Sequence, residues 1–181
     1  MILDAAAGNR TIWQHKNSNS VIYIDIERKL EIKPTVFADN TSTPFLDASF
    51  TDIFYDPPHA YGAYTSRHSQ PNRALMIAKY QDKRSNPPYF GWDKYKTQMA
   101  LLNHIFKAQK EFNRILKDDG LLWLKWNEIC IHLGTILHLF EEWNELMRIL
   151  VDASVHTAGK CNTYWVCLCK KKRRSAQSRL S

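Results

Sequence analysis

The chain has 181 residues, 44% hydrophobic and 12% aromatic, a composition that builds a globular core and excludes a disordered chain. No apolar run approaches the ~20 residues of a membrane span, and Met1-Ile2-Leu3-Asp4 lacks the basic-then-apolar pattern of a secretory signal. The net charge of +7 is local: residues 170–181 carry +6 and residues 60–90 carry +4 (Arg67, Arg73, Lys79, Lys83 and Arg84 against Asp82), leaving a body of −3. Two basic appendages on a mildly acidic body read either as solvated segments or as arms for nucleic acid.

Short apolar runs alternate with helical patterns along the chain, which predicts an α/β sheet. Met1–Asp4 is expected as the first strand, followed by a turn at Gly8. Residues 10–17 contain no Gly or Pro and are expected to form a short helix. Val21–Ile26 (VIYIDI), Thr35–Ala38 and Asp52–Tyr55 follow as strands two to four. From Trp92 to Asp118, apolar residues including Tyr95, Met99, Leu102, Phe106, Phe112 and Ile115 recur at spacings near three and four. That periodicity predicts a long helix, closed by Asp118-Asp119-Gly120. Leu121–Trp126 is expected as strand five and Leu133–Trp143 as a helix. Ile149–Val155 and Thr163–Cys169 then form a hairpin through HTAGKCN, appended to an otherwise parallel sheet.

The long irregular stretch is 60–90, a length at which loops are functional or disordered. One domain over 1–169 with a basic, disordered tail over 170–181 is expected. Cys130, Cys161, Cys167 and Cys169 lack paired CxxC spacing, and Cys167 and Cys169 alternate on one strand. They read as buried free thiols in a reducing, cytoplasmic setting, with no metal site.

Parallel sheets bind ligands at the edge where their strands end, so the residues that follow each strand are informative. After the first comes Asp4-Ala5-Ala6-Ala7-Gly8-Asn9-Arg10, small residues that let backbone approach a ligand. After the second come Asp25 and Glu27, suited to the hydroxyls of a ribose. Asp39-Asn40 follows the third, with an amide able to read an adenine edge. Asp56-Pro57-Pro58-His59 ends the fourth, where two prolines forbid further ladder hydrogen bonds. Lys125-Trp126-Asn127-Glu128 ends the fifth.

From ILDAAAG to TYWVCLC, this order resembles the class I S-adenosylmethionine-dependent methyltransferases. The resemblance implies a Rossmann-like, mostly parallel seven-stranded sheet of order 3-2-1-4-5-7-6, its last hairpin strand antiparallel, flanked by helices. It implies S-adenosylmethionine as cofactor, with Asp4, Ala6 and Gly8 at its methionine end, Asp25 at its ribose, and Asp39 and Asn40 at its adenine. DPPH is similar to the [DNS]-P-P-[YFW] signature of methyltransferases acting on amino groups, as in small bacterial and phage enzymes. There the acid and a proline carbonyl accept hydrogen bonds from the target NH₂ and the fourth residue stacks on the target ring, roles that fall on Asp56, Pro57 and His59. Pro58, Tyr61, Asn127, Arg67 and Arg73 are the expected substrate contacts.

Three positions depart from the family pattern. Ala6 and Arg10 stand where the loop's first and third glycines are usual, and His59 replaces Tyr, Phe or Trp. Asn86-Pro87-Pro88-Tyr89 matches the signature letter for letter but follows the polar stretch KYQDKRS instead of a strand, so it reads as a helix start. An NAD-dependent dehydrogenase fits poorly, because Gly8 stands alone where G-x-G-x-x-G is needed.

The leading expectation is methyl transfer to an amino nitrogen of a nucleic-acid base. The loop 60–90 interleaves cations with Tyr61, Tyr64 and Tyr80, a combination that holds phosphates and stacks bases, and the basic tail adds to it. The alternatives are a methyltransferase of proteins or small molecules, and a non-catalytic cofactor-binding subunit that works in an oligomer or with a partner chain.

Overall fold

The computed structural model of the chain describes residues 1–61, 94–128, 130–154 and 161–172. Its strands are β1 (Ile2–Asp4), β2 (Val21–Asp25), β3 (Val36–Phe37), β4 (Phe50–Tyr55), β5 (Leu116–Asn127), β6 (Trp143–Ser154) and β7 (Cys161–Lys170). The described helices are α1 (Gln98–Ile115) and α2 (Leu133–Leu137). The strands form one sheet in the order β3-β2-β1-β4-β5-β7-β6. β1 to β5 pair parallel, and β7 runs antiparallel to both β5 and β6. This is the order and the antiparallel hairpin expected above.

The two faces of the sheet are covered differently. On one face Leu3, Ile24, Ile53, Tyr55, Leu122, Leu124 and Trp126 pack into a single core with Leu101, Ile105, Ala108, Phe112 and Ile115 of α1. These α1 positions lie three, four or seven apart, so one stripe of the helix is buried, while the expected Met99 and Phe106 are exposed. Thr97 caps the helix by accepting a hydrogen bond from the Ala100 amide at 3.2 Å. On the other face Tyr23, Phe54, Trp123 and Trp165 form an aromatic band, with Trp13 packed edge-on against Tyr23 and Phe54 at 6.0 and 5.0 Å.

Five elements differ from expectation. Residues 10–17 form turns, not a helix. Arg10 takes a left-handed φ of 55°, and its side chain bonds forward to residues 16 and 17, folding the segment back on itself. The long helix ends at Ile115, because Leu116 is already extended, and β5 begins there. Asp118-Asp119-Gly120 instead lies within β5, where the register with β4 slips between Phe50–Leu116 and Asp52–Leu121. Gly120 is required there by packing: a Cβ would sit 2.8 Å from the Thr51 carbonyl oxygen and 2.7 Å from Leu116 Cδ1. The helix from Leu133 stops at Leu137, and Trp143 opens β6 six residues before the expected Ile149. Its indole N–H donates to the buried Gln109 of α1 at 2.9 Å, which fixes the start of that strand.

The link from β3 to β4 is fastened to α1. Glu111 accepts from the Thr43 amide and hydroxyl at 2.8 and 2.6 Å, and Arg114 donates to Asp47 at 2.7 Å and to the Phe45 carbonyl at 2.9 Å. These bonds hold the segment after Asp39-Asn40 against the helix. Among the described residues no helix is long and apolar enough to cross a membrane. Among the described residues Cys130, Cys167 and Cys169 are free thiols; Cys167 is buried as expected, whereas Cys130 and Cys169 are half-buried.

Candidate active site

Because β1 to β5 run parallel, their carboxyl ends share one edge. Asp4, Asp25 and Asp56 end or follow β1, β2 and β4, Asp39 lies just beyond β3, and Lys125 sits near the end of β5. The five strand endings read from the sequence therefore do meet.

Asp4 is only 1% exposed. It accepts from the Trp13 indole at 2.7 Å and from the Ala6 amide at 3.3 Å. Burial pushes its carboxyl up to about 7, helped by the neighbouring Asp56 and Asp25 and opposed by those two hydrogen bonds. Asp4 thus shapes the loop from within. Gly8 has φ 49°, and a Cβ built there meets nothing within 4 Å, so the loop's backbone is open on that side. Its amide donates to Asp25 Oδ2 at 2.9 Å, while the Glu27 amide donates to Oδ1 at 2.8 Å. Each carboxylate oxygen still has lone-pair capacity for a further donor.

Arg10 does not intrude on this loop. Its guanidinium donates to the carbonyls of Lys16 (2.5 Å) and Lys33 (2.7 Å) and to Asn17 Oδ1 (2.9 Å), and it stacks over the Tyr23 ring at 3.8 Å. The residue at the usual third-glycine position is a brace for residues 10–35. After β3, Asp39 accepts from the Thr41 amide and hydroxyl at 2.9 and 2.8 Å. Burial opposes ionisation there, but these bonds outweigh it and hold the carboxyl below its usual value. Asn40 donates Nδ2 to the Ala5 carbonyl at 2.9 Å, whereas its Oδ1 is buried with no partner among the described residues.

On the β4 side, Asp56 Oδ2 pairs with Lys125 Nζ at 2.8 Å, both side chains less than a third exposed. Pro57 is buried and Pro58 partly so. His59 Nδ1 lies 3.2 Å from the Pro57 carbonyl oxygen, and its ring packs edge-on to Trp126 at 6.1 Å. Burial pushes the His59 imidazole below its usual value, against the pull of Asp56 and the Pro57 carbonyl, so it is neutral at pH 7. Asp56, the Pro57 carbonyl and His59 therefore form one tight turn. A carbonyl has two lone pairs, so Pro57 can accept from His59 and from a second donor together.

The expected substrate contacts divide. Tyr61 stays near the turn, its hydroxyl 3.4 Å from Gln98 Oε1 at the start of α1. Asn127 points its amide across to Thr163 Oγ1 of β7 at 2.8 Å. Arg67, Arg73, the rest of the basic loop from residue 62, the NPPY stretch and the tail from residue 173 lie outside the described residues. Sequence reading named Lys125 among the strand endings without giving it a role, and missed Trp13. A lone cation in the apolar run LLWLKW was a signal for the first. Nothing local marked Trp13, which reaches Asp4 only because residues 10–17 fold back.

No protein-family model matches the sequence, and no curated protein matches it. Solved structures do match in fold. A TehB-like S-adenosylmethionine-dependent methyltransferase from Corynebacterium glutamicum aligns over 94% of this chain and 79% of its own, with TM-score 0.53 and 13% identity. The fold is that of the class I methyltransferases. Geranyl diphosphate methyltransferase, solved in complex with S-adenosylmethionine, aligns over 94% of this chain and 77% of its own (TM-score 0.52, 8% identity). The 4+2 cyclase SpnF aligns over 93% and 74% (TM-score 0.50, 11% identity). A fold that carries a cyclase as well as methyltransferases leaves the chemistry to be argued from the site.

Proposed function

We propose that this protein is an S-adenosylmethionine-dependent methyltransferase that methylates an amino nitrogen of a nucleic-acid base. The observation that carries the reading is the turn at the end of β4, where Asp56, the Pro57 carbonyl and His59 converge beside a cofactor-type loop. Two features fit the cofactor: the open side of the Gly8 loop, and the unpaired Oδ1 of Asn40 beyond β3. Gly8, Ala6 and Asp4 would shape the methionine end, Asp25 would take the ribose hydroxyls, and Asp39 and Asn40 the adenine. When bound, the cofactor supplies a methyl carbon on a sulfonium, an electrophile for an amine lone pair.

The chain's own part is positioning and charge. Asp56 and the Pro57 carbonyl accept the two N–H bonds of the target amine, which turns its lone pair away from them and toward the incoming methyl. As the nitrogen takes the methyl carbon, the carbon–sulfur bond would break with its electron pair left on a neutral thioether, and the positive charge gained by nitrogen would develop beside the Asp56 carboxylate, positioned to take the proton then released. Lys125 fixes one carboxylate oxygen, Oδ2, so the group approaches in a single orientation. His59, held with Nδ1 3.2 Å from the Pro57 carbonyl oxygen, takes the place of the residue that stacks on the target base. The basic segments 60–90 and 170–181 supply phosphate contacts, which is why a nucleic acid is preferred as acceptor.

Labelled methyl transfer from S-adenosylmethionine into DNA, RNA, protein and small-molecule pools tests this reading. Label in DNA or RNA that Asp56→Ala abolishes is the expected result. Label only in protein or small molecules moves the acceptor assignment, and cofactor binding with no transfer anywhere identifies a non-catalytic subunit.

A further inference from the structure

β4 and β5 run parallel in a register that sets Tyr55 beside Leu124, so the next residues, Asp56 and Lys125, stand level with each other at the strand ends. Leu124 and Trp126 are buried in the core with α1, and strand alternation turns Lys125 to the opposite face, with Trp123. Lys125 Nζ donates there to Asp56 Oδ2 at 2.8 Å, the two side chains being 27% and 19% exposed. Stability does not account for a cation in that place, because partly exposed ion pairs contribute little. An ammonium on Asp56 also makes the carboxylate a weaker acceptor for the amine it is to hold, so its presence calls for a second role.

The pair leaves a defined set of groups. An ammonium carries three donors, and Asp56 Oδ2 is the acceptor that Lys125 has among the described residues. Asp56 Oδ1 has no partner among them. One carboxylate oxygen that accepts and one ammonium N–H that donates therefore stand side by side, within reach of solvent. The complementary ligand carries an N–H donor next to a lone pair. Adenine and cytosine present that combination, in the exocyclic amine and the ring nitrogen bonded to the same carbon. An aliphatic amine offers no such acceptor and leaves the ammonium unanswered.

We infer that Lys125 is a specificity-determining residue, donating to this ring nitrogen of the target base while Asp56 Oδ1 accepts from the amine beside it. This deepens the function proposed above and rests on it. The second N–H of the amine remains for the Pro57 carbonyl, so Asp56, Lys125 and Pro57 together take the amine and its neighbouring ring atom. The Lys125 contact belongs to the unreacted base. As the amine lone pair turns toward the methyl carbon it leaves conjugation with the ring, and the ring nitrogen becomes a weaker acceptor. Lys125 therefore strengthens binding of the base more than it speeds transfer, and its loss is read in KM.

The test is steady-state transfer of label from S-adenosylmethionine by the full chain into single-stranded DNA and RNA pools of mixed sequence. Each pool is made with the natural base or with an analogue throughout. Replacing adenine by 1-deazaadenine, or cytosine by 3-deazacytosine, removes the ring nitrogen and keeps the amine and every phosphate. For the base that is methylated, wild type is expected to show a KM about 10- to 100-fold higher with the analogue. The 7-deazaadenine pool keeps that nitrogen and should match adenine. Lys125→Met should bring the analogue-to-natural KM ratio close to one, and Lys125→Arg, which keeps a donor beside Asp56, should retain it. A lysine that only held Asp56 in place would slow transfer in Lys125→Met without moving that ratio. An unchanged ratio in Lys125→Met, or equal wild-type KM values for natural and analogue pools, overturns the inference alone. The wild-type comparison decides by itself if Lys125→Met does not fold. No label in any natural pool overturns the nucleic-acid reading beneath it and the inference with it.

Discussion

Restoring a glycine at Arg10, as the family pattern would favour, is expected to damage the protein. The side chain is 7% exposed and makes three hydrogen bonds to the segments 16–17 and 33, besides stacking on Tyr23. Bonds from a charged donor contribute about 1.5–3 kcal/mol each, and a desolvated cation–π contact about 2 kcal/mol. All four are shared by one guanidinium, so they do not add, and a joint contribution of about 4–6 kcal/mol is a fair order of magnitude. Against this, glycine relieves the left-handed φ of 55°, worth about 1–2 kcal/mol. The net loss for Arg10→Gly is about 2–5 kcal/mol, or roughly 4–20 °C in Tm at this chain length. Arg10→Lys keeps the charge but loses the planar fork and the stack, and should lose about half as much. Thermal and urea unfolding measure both variants, with S-adenosylmethionine titration alongside. An Arg10→Gly protein of unchanged Tm that binds the cofactor more tightly would refute the brace and make Arg10 an obstruction in the loop.

Lys125→Met leaves the Asp56 carboxylate partly buried and unpaired, and is expected to lower stability by about 1–2 kcal/mol, given the partial exposure of both partners. Methyl transfer should fall more than cofactor affinity, and a double cycle with Asp56→Asn should give non-zero coupling. Asp4 has its native carboxyl raised from 3.8 to about 7, so the folded state binds more protons than the unfolded one between those values, and the group's contribution to stability declines as pH rises from 4 to 7. Asp4→Asn should therefore flatten that part of the urea-stability profile and gain on wild type at pH 8; an unchanged slope would place the ionisation elsewhere. On the edge strand β6, Leu146, Met147, Ile149, Leu150 and Val151 are 44–58% exposed, an edge prone to pairing with other chains. Ile149→Lys is expected to reduce self-association in concentration-dependent light scattering. Nucleic-acid binding should fall steeply as salt rises from 50 to 200 mM, whereas S-adenosylmethionine affinity should change little.

What the sequence made legible was governed by local pattern. VIYID and LLWLKW read as strands because interior strands are continuous apolar runs, and the acids at their ends were placed correctly because parallel strands must end together. The sheet order came from the resemblance, since nothing in β3, two residues long, announces its neighbour. Errors arose where a distant contact overrode a local signal. Residues 10–17 lacked a helix breaker, yet Arg10 bonds to Lys33 bend them away from helix. Asp118-Asp119-Gly120 correctly marked an irregularity, but one inside β5, because Gly120 is packed against Thr51 of the neighbouring strand. Trp13 on Asp4 and Lys125 on Asp56 are tertiary juxtapositions that no spacing encodes.

The distribution of charge separates two recognition tasks that would otherwise conflict. Asp4, Asp25, Asp39 and Asp56 gather at the strand ends, with Lys125 the cation in contact with them among the described residues. Such an edge favours a cationic ligand, and under the proposed function the cofactor carries its positive charge on the sulfonium where the methyl departs. Under the same proposal this acidic edge would repel a phosphate backbone, so an acceptor nucleic acid would not be drawn in by it. Its phosphates must be held by charge placed elsewhere in the chain, and the sequence concentrates +10 in residues 60–90 and 170–181 against −3 for the rest. The target amine would then meet the Asp56 carboxylate and the Pro57 carbonyl, with the Lys125 charge taken up by Asp56 Oδ2. Burial that keeps His59 neutral serves the same end, because an imidazolium beside the amine would oppose the positive charge that develops on nitrogen during transfer.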